Sequence, residues 1–106
     1  MYKNEITLEY KDGYPPVIND STITHNVTVA ARHIVGDNVI SPYLSMGGED
    51  FSYFSNQVPG CFFFLGSAPK DKAPMSSPHH CSHFDIDENA MLIGSSVFVN
   101  LGLSNK

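Results

Sequence analysis

The chain combines short apolar runs of two different periods. Residues 6–10 alternate apolar and polar side chains, the pattern of a half-buried strand. Residues 61–66 form a continuous apolar run of strand length, as expected for a strand covered on both faces, and residues 38–40 have the composition of a short strand. Longer stretches repeat apolar residues at helical spacing. The pattern therefore predicts an α/β architecture, a few strands with helices packed on them.

The first predicted helix has clear end signals. Asp20 or Ser21 can cap its start, and Gly36 offers a left-handed stop. Its apolar residues recur at the spacing of one helix face, so one side of this helix should be buried. His25 and His33 fall outside that stripe. We expect both histidines to be exposed.

Two further helices are predicted nearer the C-terminus. A short one should begin after the pair Gly47 and Gly48, where carboxylates suit a helix N-terminus. For the glycine pair itself, the alternatives are an ordinary tight turn and a close approach of the backbone to a ligand. The last helix should be capped by Asp85 or Asp87. Its apolar residues at helical spacing are Ala90, Ile93, Val97, Phe98 and Leu101.

Composition limits the class of protein. The 106 residues, 42% of them hydrophobic, fit one packed domain or less. The net charge is −5 and the basic residues are scattered, so a nucleic-acid partner is not expected. No run approaches the ~20 apolar residues that span a bilayer. We expect no membrane partner, a cytoplasmic location and two reduced cysteines.

A histidine-rich loop carries the candidate chemistry. His79, His80, Cys81 and His83 lie within five residues, just before the last predicted helix. Neutral imidazole and thiolate are ligands that zinc prefers. A metal normally needs about four ligands, and neighbouring residues on one loop seldom supply all of them. The loop should therefore hold part of a site.

Three segments together resemble a known family. They are residues 12–20 (DGYPPVIND), 46–54 (MGGEDFSYF) and 80–88 (HCSHFDIDE). In this order they resemble the C-terminal part of the M20 metallopeptidases. The resemblance is greatest to the amidohydrolase branch, which includes hippurate hydrolases, N-acyl-amino-acid deacylases and plant auxin-conjugate hydrolases.

The resemblance implies a division of the chain. Residues 1–13 would hold the last strand of the family's lid, or dimerisation, domain, and residues 14–20 would be a linker. Residues 21–106 would be the C-terminal segment of the zinc-peptidase-like catalytic domain.

The resemblance also implies site residues. The family's last metal ligand is the His of a His-x-x-x-Phe pattern, which here is His80. His79, Cys81 and His83 stand at variable positions and become neighbours rather than ligands. Main-chain N–H groups of Gly47 and Gly48 would hold a substrate carboxylate or carbonyl.

The implied activity is hydrolysis of the amide bond of N-acyl amino acids or related peptides, with two divalent metal ions such as zinc, manganese or cobalt. The family's His-x-Asp ligand pair, bridging acid and Glu-Glu pair precede the lid, so we expect none of them in this chain. The isolated chain should be inactive without that N-terminal half, with at most a weak single metal site.

Two alternatives belong to other classes. The chain could act as a small binding or self-association module that pairs its Phe-rich strand, residues 61–66, with itself or another chain, because uncovered strand edges and apolar faces favour association. It could also be a free-standing zinc domain built on His79, His80, Cys81 and His83, although consecutive residues rarely give tetrahedral geometry.

Overall fold

The computed structural model describes residues 3–41, 44–72 and 78–104. Helix α1 spans Ser21–Val35 and is followed by one turn of 3-10 helix at Gly36–Asn38. The short helix α2 spans Phe51–Ser55, and α3 spans Asn89–Ser104. All three predicted helices are therefore present. None of the described helices is long and apolar enough to cross a membrane.

Helix α1 begins and ends where its local signals predict. Asp20 is the N-cap, and its carboxylate accepts a hydrogen bond from the Ile23 N–H at 2.9 Å. Gly36 has a positive φ of 61°, and its N–H donates to the Arg32 carbonyl. A side chain at this position would be strained, which explains the glycine. His25 and His33 are exposed, as predicted.

Of the two predicted caps of α3, Asp87 is the one used. Its carboxylate accepts hydrogen bonds from the Asn89 main chain at 3.0 Å and from the Asn89 side chain at 2.8 Å. Helix α3 packs on α1, and the buried apolar residues are Ala30 of α1 with Ala90 and Val97 of α3. This contact forms the small core of the described residues.

The predicted strands do not form as paired strands in the described part of the chain. Residues 6–10 are exposed, residues 39–40 follow the 3-10 turn, and residues 61–66 have no regular secondary structure. A strand satisfies its backbone hydrogen bonds only by pairing with a neighbour. An apolar pattern alone therefore cannot produce a strand where no neighbouring strand is present. The α/β class remains a prediction for the complete domain.

Residues 61–66 nevertheless alternate their contacts as a strand would. Phe63 lies against Phe98 of α3, with ring centroids 5.9 Å apart. Phe62 points to the other side and contacts Phe51 of α2 at 5.6 Å. The segment thus contacts a helix on each side. The predicted burial on both faces is nevertheless not reached in the described residues, because residues 61–63 are only half-buried and residues 64–66 are exposed.

The described fold leaves much apolar surface uncovered. Leu92 and Leu103 of α3 are 70% and 63% exposed, and Val99 lies between them on the same helix face at 62%. The radius of gyration is 19.0 Å, whereas a compact domain of 100 residues has about 13 Å. By itself the chain does not bury the surface that a domain of this length normally buries.

Candidate metal and substrate site

The histidine-rich loop ends in a turn anchored at both sides. Phe84 donates its N–H to the Cys81 carbonyl at 3.2 Å, which closes the turn. The Lys72 ammonium forms an ion pair with the Asp85 carboxylate. Asp87 donates its N–H to the Ser67 carbonyl at 2.8 Å. The turn is therefore attached to the end of residues 61–66 and to the start of α3.

The Lys72–Asp85 ion pair shifts both titrations. The hydrogen bond from Lys72, together with its charge, lowers the pKa of the Asp85 carboxyl. The same hydrogen bond raises the pKa of the Lys72 ammonium. Both side chains are substantially exposed, so solvent screens this pair.

His80 has an unusual backbone conformation. Its φ is 66°, and no other non-glycine residue in the described ranges has a positive φ. The left-handed region costs an L-residue roughly 1–2 kcal/mol. The residue is exposed, while the neighbouring His79 ring packs against Phe84 at 4.8 Å. The turn thus uses His79 for packing and leaves His80 accessible to a ligand.

The described residues do not form a complete metal centre. No group of three His, Cys, Asp or Glu side chains within them could hold a metal ion. Cys61 and Cys81 have free, half-buried thiols. Accessible His80 fits the requirement for one imidazole ligand, and the remaining ligands would have to come from other residues. A free-standing tetrahedral site on His79, His80, Cys81 and His83 has no geometric support in the described residues.

One expectation about the ligand set was wrong. The chain does contain a His-x-Asp triplet, His83-Phe84-Asp85. In the division that the resemblance implies, this triplet would follow the lid segment instead of preceding it, and Asp85 is paired with Lys72. We therefore do not assign it the role of the family's ligand pair. No Glu-Glu pair occurs in the sequence.

The glycine pair lies just before α2. Gly47 donates its N–H to the Ser45 hydroxyl at 3.3 Å, a long and weak hydrogen bond. Of the two carboxylates expected to suit this helix N-terminus, Glu49 accepts a hydrogen bond from the Phe51 N–H at 3.1 Å, whereas the Asp50 side chain makes no capping bond. Within the described ranges no hydrogen bond or ring contact joins His80 to the glycine pair.

Sequence reasoning missed two residues that position this region. The Asn19 side chain accepts from the Phe62 N–H and donates to the Phe62 carbonyl, both at 2.8 Å. The Tyr14 ring packs edge-on against Tyr53, with centroids 5.8 Å apart, and lies against Gly48. Both belong to residues 12–20, the first segment of the resemblance. Two signals in the sequence could have pointed to them. Tyr14 is an aromatic residue in this segment, and Asn19 is an amide directly before the Asp20 cap.

One protein-family model matches nearly the whole chain. Residues 4–103 match the model of peptidase family M20/M25/M40. The chain therefore belongs to this family, which generally uses divalent metals.

Individual relatives agree with this assignment. The chain is 38% identical over 96 residues to a putative amidohydrolase, YhaA, of Bacillus subtilis, covering 90% of this chain and 24% of that protein. It is 31% identical to IAA-amino acid hydrolase ILR1-like 4 of Arabidopsis thaliana, covering 88% of this chain and 21% of that protein. It is 33% identical to thermostable carboxypeptidase 1 of Saccharolobus solfataricus, covering 91% and 24%.

The chain thus spans between a fifth and a quarter of these relatives' length. No solved structure gives a significant match. The chain therefore corresponds to part of a longer M20-family protein.

Proposed function

We propose that this chain is the catalytic-domain tail of a metal-dependent amidohydrolase that cleaves the amide bond of N-acyl amino acids or related peptides in the cytoplasm. The observation that carries the proposal is His80. It is an accessible imidazole held in a costly backbone conformation, on a turn anchored by Lys72 and Asp87. Strained residues that the surrounding structure maintains are concentrated at functional sites.

The residues of this chain have two roles in the proposal. His80 donates one ring nitrogen to a metal ion, and the main-chain N–H groups of Gly47 and Gly48 hold the substrate's carboxylate or carbonyl. Two bound divalent ions such as zinc, manganese or cobalt would polarise the scissile carbonyl and lower the pKa of a water molecule. The hydrogen bond from the Gly47 N–H to the Ser45 hydroxyl is long and weak, so an anionic acceptor, which bonds more strongly, could replace the hydroxyl.

The relatives support the reaction class. The B. subtilis protein is named as a putative amidohydrolase, and the A. thaliana protein as an IAA-amino acid hydrolase. We propose that the isolated chain is inactive, since His80 alone cannot bind two metals and the sequence has no Glu-Glu pair to supply the base. Its partner would be the N-terminal half of the same catalytic domain.

The test begins with the gene. The sequence upstream of Met1 should encode His-x-Asp followed by Glu-Glu, in frame, one frameshift away or as a separate polypeptide. The extended or reconstituted protein should hydrolyse hippurate with zinc, manganese or cobalt. His80→Ala should lower its metal content, measured by atomic emission, and abolish hydrolysis.

His25→Ala is the matched control, since His25 is an exposed helical histidine. It should retain metal and activity. The isolated chain should bind zinc weakly and without fixed stoichiometry. A tight one-to-one zinc site in the isolated chain, lost in His80→Ala, would contradict the proposed role of the N-terminal half.

A second candidate function is self-association. An apolar groove of about 380 Å³ lies between α1 and α3, lined by Ile34, Leu92, Val99 and Leu103 together with small polar residues. Exposed contiguous apolar surface favours association. Light scattering across a hundredfold range of protein concentration would detect this. Leu92→Ser with Val99→Ser should give a monomer if the groove is the contact, and a wild-type monomer at all concentrations would remove this candidate.

A further inference from the structure

The Tyr14 ring occupies the space that a side chain at residue 48 would need. A Cβ placed on Gly48 would lie 2.9 Å from Tyr14 Cδ2 and 3.5 Å from Cε2. Real Cβ atoms do not approach other heavy atoms to 2.9 Å, and here the obstacle is the body of an aromatic ring. Gly48 is therefore required by the position of Tyr14.

Gly47 differs from Gly48 in this respect. The nearest atom to a Cβ on Gly47 is the Ser45 Oγ at 3.4 Å, an ordinary contact. Neither glycine has a positive φ. The alternative of a tight turn that needs glycine conformations therefore does not explain the pair. The close approach of Tyr14 explains Gly48.

The same ring also contacts the helix that follows the glycines. Tyr14 meets Tyr53 of α2 edge-on, with an interplanar angle of 76°. Such T-shaped pairs contribute about 0.5–1.5 kcal/mol beyond their burial. Residues 44–48 are exposed, with Leu44 and Met46 almost fully so. The tyrosine thus connects residues 14–20 to both the exposed glycine loop and α2.

We propose that Tyr14 is a positioning residue that seats the Gly47–Gly48 loop against α2 and couples its geometry to residues 14–20. When the ring is seated, the main-chain N–H groups of the pair keep one orientation. When residues 14–20 move, the loop loses this support. The functional part of this inference rests on the proposed substrate role of Gly47 and Gly48, whereas the coupling itself does not.

The coupling is tested by NMR on the 106-residue chain. An aromatic ring this close should shift the Gly48 α-proton resonances. Tyr14→Ala should remove that shift and change the amide resonances of Gly47, Gly48 and Tyr53. Tyr14→Phe keeps the ring and should resemble the wild type. Ala30 and Val97, in the α1–α3 core, serve as internal controls and should not move.

A double-mutant comparison makes the test specific. Gly48→Ala should displace the ring and reproduce the shift of the Tyr53 amide seen in Tyr14→Ala. At Tyr53, Tyr14→Ala with Gly48→Ala should then cause no change beyond Tyr14→Ala alone. Gly47→Ala is the matched control and should leave the Tyr14 and Tyr53 resonances in place. Additive effects of the two substitutions, or an unchanged Gly48 resonance in Tyr14→Ala, would overturn the coupling.

A hippurate titration tests the functional part separately. Hippurate should perturb the Gly47 and Gly48 amides of the wild type, and Tyr14→Ala should weaken this binding at least about fivefold, the lower end of typical coupling between sites. Equal binding by wild type and Tyr14→Ala would overturn the positioning role. Absence of any perturbation in the wild type, with the Tyr14–Gly48 coupling intact, would instead overturn the proposed substrate role of the glycines.

Discussion

Helix α1 and residues 61–66 are both rich in apolar residues, but their main-chain hydrogen bonds have different partners. Helix α1 bonds its own main chain and closes its ends with Asp20 and Gly36. In residues 61–66, the N–H and carbonyl of Phe62 are bonded by the side chain of Asn19. The first segment carries its hydrogen-bond partners within itself. The second depends on a residue far away in sequence.

The comparison shows which elements stay formed without neighbours. A helix needs only its own residues and a packing face. A segment of strand type needs partners along its length. Here the Asn19 side-chain amide has both a donor and an acceptor, so it bonds the N–H and the carbonyl of Phe62 as the main chain of a neighbouring strand would. Asn19 thus helps to hold residues 61–66, together with the hydrogen bond from the Asp20 N–H to the Gly60 carbonyl at 2.9 Å. The histidine turn is joined to the end of this segment through Ser67 and Asp87.

The largest expected effect follows from removing that pairing. Asn19→Ala eliminates two hydrogen bonds to Phe62, each worth about 1 kcal/mol, so the free energy of unfolding should fall by about 2 kcal/mol. Urea denaturation followed by circular dichroism would measure this. Asn38→Ala is the control, because Asn38 makes a single bond, to the Val35 carbonyl three residues away, and its exposure resembles that of the two Asn19 bonds. Equal losses in the two variants would show that Asn19 has no special role.

A smaller effect is expected at the helix cap. Asp20→Ala removes the acceptor of the Ile23 N–H and should cost about 1 kcal/mol. Ser21→Ala changes the alternative predicted cap and should cost less than about 0.5 kcal/mol, as surface substitutions usually do. The same urea experiment compares them. If Ser21→Ala lost more stability than Asp20→Ala, Asp20 would not be the residue that caps α1.

The contrast between the two segments also explains what the sequence could predict. Both caps of α1 and the Asp87 cap of α3 depend on short-range bonds, so local residue types identified Gly36 and narrowed each N-terminal cap to two candidates. The pairing of Asn19 with Phe62 and the contact of Tyr14 with Gly48 join residues distant in sequence. No local pattern encodes such contacts. His80 was identified by resemblance, but its positive φ could only be seen in the structure.

The strained backbone of His80 gives a third effect of similar or smaller size. His80→Gly relieves the left-handed strain, whereas His80→Ala retains it, so the glycine variant should be more stable than the alanine variant by about 1 kcal/mol. Both variants lack the His80 imidazole and should affect the weak zinc binding of the isolated chain equally, since His79, Cys81 and His83 remain. Thermal unfolding and zinc titration would be measured on both. A glycine variant that is less stable than the alanine variant would argue against the left-handed conformation.

The smallest expected effect concerns the Lys72–Asp85 ion pair that anchors the histidine turn. The pKa of the Asp85 carboxyl is lowered by Lys72, so its contribution to stability is present above its ordinary pKa of 3.8 and is lost as the pH falls through the lower folded value. The pKa of Lys72 is raised by Asp85, so its contribution is present below its ordinary pKa of 10.5 and is lost as the pH rises through the higher folded value. The pair therefore supports the turn across neutral pH.

Carboxyl NMR titration of Asp85 would measure this contribution. Lys72→Gln should bring the pKa of Asp85 back toward its ordinary value, and high salt should do so in part, because the pair is exposed. Lys70→Gln is the matched control two residues away and should leave the titration unchanged. If Lys72→Gln also altered the His80 resonances while Lys70→Gln did not, the ion pair would be shown to position the proposed metal ligand. If the His80 resonances were unchanged in both variants, the ion pair would not position His80, and the Asp87–Ser67 hydrogen bond would be the contact that anchors the turn.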